Sequence, residues 1–466
     1  MIIGASIAGL SAGLLLARDG HDVTVLDRDD VSPGTPDHVA ATAHRTGAPH
    51  AVQAHAFLAL ARMVLRDRLP DVLASLYAQG AVDLPLPPPP SLAGHDVPND
   101  PGLVFLMVRR PIAEWALRDA ASRQHHLEVR VGTTATGLRL DESGVVPRVT
   151  GLHLDSGEVL DADLVVDASG RRSMTPRWLT GSGMVPVIRS EPCGLMYFGR
   201  SFRVRPGVPQ LPPLNRGFGA GAMLPRFGAL LIPSERGHVN VALNALTTDQ
   251  EMKAVRSPAV FDSVLRSLPT VSPWLDVMEP TSEVVPFGGL QSTLIRLVSD
   301  SGPIVHGLHL IGDACSTTNP TFARGLSWAL AHAAVLRDVV IAFPFDLSQQ
   351  ATSMDAWIAR ELEPFYDDAI TSDGTRRMMM AAAVRGEAPV MPPGGVSGRP
   401  ALTQVLMASF SDPFVWHRLS RFQSLLAKPS DLYDDPEIRA RVAAVETVGL
   451  PAPVGPTNEE LAVLLT

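Results

Sequence analysis

Apolar positions open the chain and set its first unit. Met1-Ile2-Ile3 reads as a short buried strand, residues 4–9 as a tight turn, 10–19 as a helix rich in small residues, and 23–26 as a second buried strand. That succession is a βαβ unit. Further along, 103–108, 163–167 and 308–311 are apolar runs of strand length, Pro111 is placed to start a helix, and a long apolar helix begins near Leu326. Between Arg177 and Phe287 the pattern changes: strand-like runs at 196–204, 221–232 and 239–244 alternate with Pro- and Gly-rich turns, which predicts an antiparallel sheet over 176–285. The proline run 85–90 admits neither helix nor central strand, so 76–99 is predicted as a long surface loop. Residues 346–466 read as helical, with a patterned stretch at 353–366 and a methionine cluster at Met378-Met379-Met380.

Composition narrows the function classes. A chain of 466 residues with 45% hydrophobic and 19% charged residues is ordinary globular material with room for several domains. The net charge is −9 with no basic block, which argues against nucleic acid or an anionic membrane as partner. Cys193 and Cys315 lie far apart and form neither a redox pair nor a zinc spacing, and a cytoplasmic location is expected. The apolar helix candidate 326–343 is interrupted by His332, Arg337 and Asp338, so no membrane span is expected there.

The opening turn carries the first chemistry. Gly4, Ser6 and Gly9 occupy the three places of a dinucleotide fingerprint, with serine at the middle one, where the backbone approaches a pyrophosphate. Unpaired N–H groups of Ile7, Ala8 and Gly9 at the helix start would face that anion. Asp27, eighteen residues beyond Gly9 and followed by Arg28, stands at the end of the second strand, where a carboxylate accepts from ribose hydroxyls.

Three distant segments resemble the aromatic-hydroxylase-type, single-component FAD-dependent monooxygenase family, in particular its bacterial natural-product branch. The most specific runs from Gly312-Asp313 through Asn319-Pro320-Thr321-Phe322-Ala323-Arg324-Gly325-Leu326. By resemblance Asp313, with Gly312, holds the ribityl chain, and Pro320 sits beside the isoalloxazine. Arg324, Gly325 and Leu326 then aim N–H groups and a helix dipole at the flavin edge that becomes negative on reduction. The second segment is the strand ending Asp167-Ala168-Ser169-Gly170, expected beside the nucleotide. The third is Arg109-Arg110-Pro111, whose Arg110 is expected to reach the cofactor. A weaker match, Arg45-Thr46-Gly47-Ala48-Pro49-His50, implies that Arg45 lies near the flavin, with His50 and His55 unassigned. Where glycine is usual two residues before Gly325, this chain has Ala323, which does not take φ > 0 comfortably. The resemblance implies an α/β fold with a discontinuous Rossmann-like FAD-binding domain (1–75, 100–175 and 286–345), the antiparallel substrate domain, and the helical C-terminal region.

The implied activity is insertion of one oxygen atom, by hydroxylation or epoxidation through a flavin C4a-hydroperoxide, into a large hydrophobic natural-product intermediate. FAD and O2 are the implied cofactor and co-substrate, and electrons come from NADPH directly or through a separate flavin reductase. No side-chain nucleophile and no metal are expected. Met196, Tyr197, Phe198, Phe202, Met223, Leu224, Leu230 and Leu231 are candidates for an apolar pocket, although core packing accounts for most of them as well. A halogenase shares the fold, but no lysine precedes Lys253 and no two tryptophans stand two apart, as its pocket lysine and paired-tryptophan segment require. The alternative kept is an FAD-bound protein that folds a polyene for non-redox cyclisation, to which Ala323 is the sequence hint.

Overall fold

Ile2–Ile3 (β1) is the centre strand of a five-stranded parallel sheet. The computed structural model describes residues 1–30, 34–36, 53–215, 217–387, 399–446 and 454–466. β1 pairs with Val23–Leu26 (β2) on one side and Val165–Asp167 on the other, and the sheet is completed by Leu127–Arg130 beyond β2 and Leu308–Leu310 at the opposite edge. Strands this short are sufficient because both faces are covered. The helix Ile7–Arg18 (α1) buries eleven of its twelve residues. Gly13 lets it lie close on the sheet: a Cβ there would come 3.0 Å from Val25 and 3.1 Å from Leu127. The helix starts three residues earlier than the pattern predicted, because the turn is complete at Ser6.

Residues Val82–Pro85 (β3) pair antiparallel with Val104–Met107 (β4), and Leu127–Arg130 is β5. The proline stretch is therefore less of a loop than expected. Residues 76–78 finish the helix Pro70–Ala78, Pro85 closes an edge strand where no ladder N–H is missed, and Pro90–Leu92 is a 3-10 turn. A meander not foreseen in the sequence, Ala135–Asp141 (β6), Arg148–Leu154 (β7) and Val159–Asp161 (β8), leads into Val165–Asp167 (β9). Its apolar side chains pack with Leu179 and Met184, so residues up to 184 belong structurally to this first body rather than to a domain starting at 176.

Val187–Pro192 (β10) pairs with Gln291–Arg296, and Leu195–Val204 (β11) begins the second sheet. The run 221–232 is two strands, Ala220–Met223 (β12) and Phe227–Pro233 (β13), folded back on each other around Leu224 to Arg226. His238–Leu246 (β14), Met278–Pro280 (β15) and Val285–Phe287 (β16) complete it, in the order β12-β13-β14-β11-β15 with β16 also on β11. The register decides which side chains face where. Tyr197, Gly199, Ala242, Asn244, Gly228 and Leu230 share one face by pairing and alternation. Met196, Phe198, Phe202 and Leu231 take the other face, in a core with Phe261, Val264 and Trp274 of the helices Pro258–Arg266 and Ser272–Leu275. Those four pocket candidates are thus structural.

The helix Gly325–Ala342 packs on α1 and returns the chain to the first body. Among the described residues it is the one helix long and apolar enough to cross a membrane, and 61% of it is buried inside the protein. A second long helix, Glu363–Val384, and four shorter ones between Leu402 and Glu446 enclose a third apolar cluster around Phe365, Val405, Phe422 and Tyr433.

Gly9→Ala is expected to destabilise the protein by about 1–3 kcal/mol, because its Cβ would stand 1.9 Å from the Gly4 carbonyl oxygen and must force the turn open. Urea unfolding of the variant checks this, and a wild-type midpoint would refute it.

Candidate functional site

Close backbone approach builds the opening turn. Gly4 has φ +102° and donates its N–H to the Leu26 carbonyl at 2.7 Å, and a Cβ on it would meet the Ala168 oxygen at 2.6 Å. Asp27 closes the turn from below, accepting from the N–H groups of Ala5 and Asp29, each at 3.0 Å. The N–H groups of Ile7, Ala8 and Gly9 have no partner among the described residues, as a helix start leaves them. Three donors with a dipole behind them make an anion site.

Ser6 explains itself at this point. Its hydroxyl donates to Glu114 at 2.6 Å and accepts from Arg110 at 3.0 Å, while Arg110 also reaches Glu114 at 2.9 Å. Arg118, one helical turn beyond Glu114, donates to the Ala5 carbonyl at 2.9 Å. The helix Arg110–Ser122 thus pins the turn with two arginines and one buried glutamate, placing Arg110 and Arg118 beside the free N–H groups. His55 joins this cluster. Its Nδ1–H donates to the Gln53 carbonyl at 2.7 Å, and burial together with the charge of Arg110 pushes its pKa down to about 3, so the ring is neutral.

The second arm comes from residues 312–327. Gly312, at φ +58°, donates its N–H to His332 Nδ1 at 3.2 Å, which places the His332 proton on Nε2; burial holds this imidazole neutral, with its pKa at about 3. Asp313 has no hydrogen-bond donor among the described residues. Burial raises its pKa, and Arg110 and Arg171 oppose that rise. Arg171 lies over the Phe287 ring at 4.6 Å. A Cβ on Gly325 would approach Asp313 Oδ1 to 3.6 Å, which sets the helix start beside the carboxyl, and the N–H groups of Gly325, Leu326 and Ser327 are unpartnered among the described residues.

Ala323 takes the left-handed conformation after all, at φ +54° and ψ 22°, so the loop keeps the course a glycine would give it at a strain cost of about 1–2 kcal/mol. Pro320 is exposed at the first position of a 3-10 turn capped by Asn319, whose Oδ1 accepts from the Thr321 N–H at 3.2 Å. The Arg324 side chain does not turn toward this opening. It is buried, donates to the Phe365 carbonyl at 2.9 Å and Asp368 at 2.6 Å, and lies within 4.5–5.3 Å of the rings of Phe322, Phe365 and Phe422.

Of the residues singled out in the sequence, Gly4, Ser6, Ile7, Ala8, Gly9, Asp27, Arg110, Gly312, Asp313, Gly325 and Leu326 gather around the two helix starts. Asp167 stands beside them, but its carboxylate is engaged by Ser169 and Ser173 and builds its own turn. Arg28 is exposed. Arg45 and residues 46–50 lie outside the described residues. Glu114, Arg171 and His332 were missed. The four-residue spacing of Arg110, Glu114 and Arg118 was a readable signal for the first, since such residues share a helix face. The site's chemistry fits FAD: unpartnered N–H donors with a positive surround for a pyrophosphate, and an acceptor without a donor for a hydroxylated chain.

Residues 1–182 match the family model described as FAD binding domain. The curated protein Rv3254 of Mycobacterium tuberculosis is 26% identical, over 72% of each chain. A probable FAD-dependent monooxygenase of Pseudomonas aeruginosa, PqsL, has the same fold with TM-score 0.58 at 16% identity, over 83% of this chain and 98% of that one. The flavin-dependent brominase Bmp2 superposes with TM-score 0.61 at 17% identity, over 96% and 98%. Residues 1–182 are an FAD-binding domain.

Asp313→Ala should weaken FAD about 10- to 100-fold in calorimetric titration, because it removes an acceptor beside the helix start at Gly325. Asp27→Ala should lower both affinity and Tm, since Asp27 also holds the turn. His332 has a folded pKa of about 3 against 6.5 for an unperturbed imidazole. Its contribution to stability is therefore whole above pH 6.5 and falls by about 1.4 kcal/mol per pH unit below it, as the unfolded chain takes up the proton first. Urea midpoints at descending pH should fall less steeply for His332→Asn, whose Oδ1 can still accept from Gly312.

Proposed function

We propose, for a flavoprotein that belongs with the FAD-dependent oxidoreductases of the monooxygenase type, that the reaction is transfer of one oxygen atom from O2 to a large hydrophobic natural-product substrate, as hydroxylation or epoxidation. The observation that carries this reading is the convergence of two helix starts, at Ile7 and Gly325, on the Gly312-Asp313 turn. Bound FAD, once reduced, supplies the electrons that activate oxygen. The chain's own residues do the rest. The N–H groups of Ile7, Ala8 and Gly9, with Arg110, hold the pyrophosphate, and Asp313 accepts from the ribityl hydroxyls. The N–H groups of Gly325 and Leu326 favour negative charge at the flavin edge, which grows on reduction.

An apolar substrate is supported by the surroundings of Ala323, where Phe105, Phe218, Leu230 and Ile232 belong to one cluster and the two phenylalanine rings stand 5.1 Å apart. Such walls exclude water from a reactive centre. Leu230 remains a pocket candidate on this reading, and Met223 lies on the same sheet face. NADPH is proposed as the electron source, used directly or through a flavin reductase, in a cytoplasmic setting.

Anaerobic reduction of the FAD-loaded protein, followed by O2 and substrate, should give a product carrying one oxygen atom from labelled O2. Product formed at the same rate without oxygen and reductant would reject oxygenation in favour of non-redox cyclisation. A product that appears only with added halide would reject it in favour of halogenation.

A further inference from the structure

The helix Glu363–Val384 grips the loop 319–324 with three side chains in succession. Asp368 takes Arg324 at 2.6 Å, Asp373 Oδ1 accepts from Asn319 Nδ2 at 2.7 Å, and Arg376 donates to Thr321 Oγ1 at 2.9 Å. The same helix is tied to the second sheet. Arg376 also donates to Asn244 at 3.0 Å, and Asn319 accepts from the hydroxyl of Tyr197, the residue paired with Asn244 across β11 and β14.

Asn319 is the junction of this arrangement and is 1% exposed. Its Oδ1 accepts from the Thr321 N–H and from the Tyr197 hydroxyl, while its Nδ2 donates to Asp373 Oδ1. An amide can flip, and a fixed donor facing its oxygen together with a fixed acceptor facing its NH2 group selects one orientation more strongly than either alone. Asp373 is that acceptor. It is 3% exposed, and its second oxygen has no partner among the described residues. It borders a cavity of about 250 Å³ lined also by Glu191, Pro192, Ser292, Ile370, Thr371 and Arg377. Burial pushes its pKa up to about 6, against the pull of Asn319, Arg376, Arg377 and Arg324.

We propose that Asp373 is a positioning residue for the flavin loop: by orienting the Asn319 amide it fixes the capped turn that presents Pro320 and sets the start of the helix at Gly325. The role rests on the FAD reading above, but its first test does not need the cofactor. If Asp373 acts through hydrogen-bond orientation, then Asp373→Asn, which keeps an acceptor for Asn319 Nδ2, must rescue what Asp373→Ala loses.

The experiment compares wild type, Asp373→Ala and Asp373→Asn as full chains. Hydrogen–deuterium exchange of the peptide spanning 319–326 is measured without added FAD, then the visible circular dichroism of bound flavin with it. The expected result is exchange at least about tenfold faster in Asp373→Ala than in wild type, a return to within about twofold of wild type in Asp373→Asn, and a flavin spectrum altered in the first variant only. Should Asp373→Ala fail to fold, Asp373→Ser, polar but too short to reach Asn319, takes its place with the same thresholds. Unchanged exchange overturns the proposal. Equal acceleration in the alanine and asparagine variants overturns it too, as does a loosened loop with an unaltered flavin spectrum. Failure of wild type to take up FAD would instead reject the functional reading, while the exchange data still decide whether Asp373 holds the loop.

Discussion

Gly312 lies where the first turns of the helices starting at Ile7 and Gly325 come together: a Cβ on it would stand 3.0 Å from Ala8 Cβ and 3.9 Å from Ala329. That contact governs the rest of the site. Each helix start carries about half a unit of positive charge with unpaired N–H groups. Two such ends brought side by side repel each other unless an anion lies between them. Asp313 supplies one such charge, at the cost of its own desolvation, and Arg110 with Arg171 lowers that cost. A pyrophosphate supplies more. The arrangement is therefore better satisfied with a dinucleotide than without it, and the glycines at 4, 9 and 312 serve mainly to let backbone occupy space a side chain would fill.

Sequence reading found the parts of this site whose cause is local. The Gly4 to Gly9 turn, the strand ending at Asp27 and the strand before Gly312 each follow from a few adjacent residues, and their positions hold within a few residues in the structure. What it missed depends on partners far away along the chain. Ser6 meets Glu114 across 108 positions, Gly312 meets His332 across 20, and Asn319 meets Asp373 across 54. The i, i+4 spacing of Arg110, Glu114 and Arg118 marks Glu114 as part of a charged helix face but does not name Ser6 as its partner, and the other two pairs leave no periodic trace in their neighbourhood. The same limit applies to Asp167, whose place was legible but whose carboxylate is consumed by two serines.

The second sheet shows a different boundary of legibility. Alternation along 196–204 fixes that neighbouring side chains take opposite faces, but it does not say which face meets the first body. Both faces carry aromatic residues. The helices holding Phe261 and Trp274 decide it, since they cover the face with Phe198 and Phe202. Gly199 marks the other face: a Cβ there would come 1.8 Å from Gln53 Oε1, and Gln53 donates to the Val285 carbonyl at 3.2 Å. A glycine in mid-strand was the available sign that another chain segment comes close.

Arg324 bears on how the flavin edge is charged. A guanidinium beside that edge would stabilise reduced flavin strongly at all times. Here the cation is instead committed to Asp368, which also accepts from Tyr433 at 2.8 Å, and to three aromatic rings. With its charge balanced there, stabilisation at the flavin edge would fall, on the proposed reading, to the N–H groups of Gly325 and Leu326, whose strength depends on where the helix start is aimed. Aim is a property of the loop, and the loop is fixed at Asn319, Thr321 and Arg324 by a helix that also holds the second sheet. The second sheet and the helix start at Gly325 therefore share one mechanical support, so that a change in how the second sheet sits on the helix Glu363–Val384 would reach the N–H groups rather than a side-chain charge.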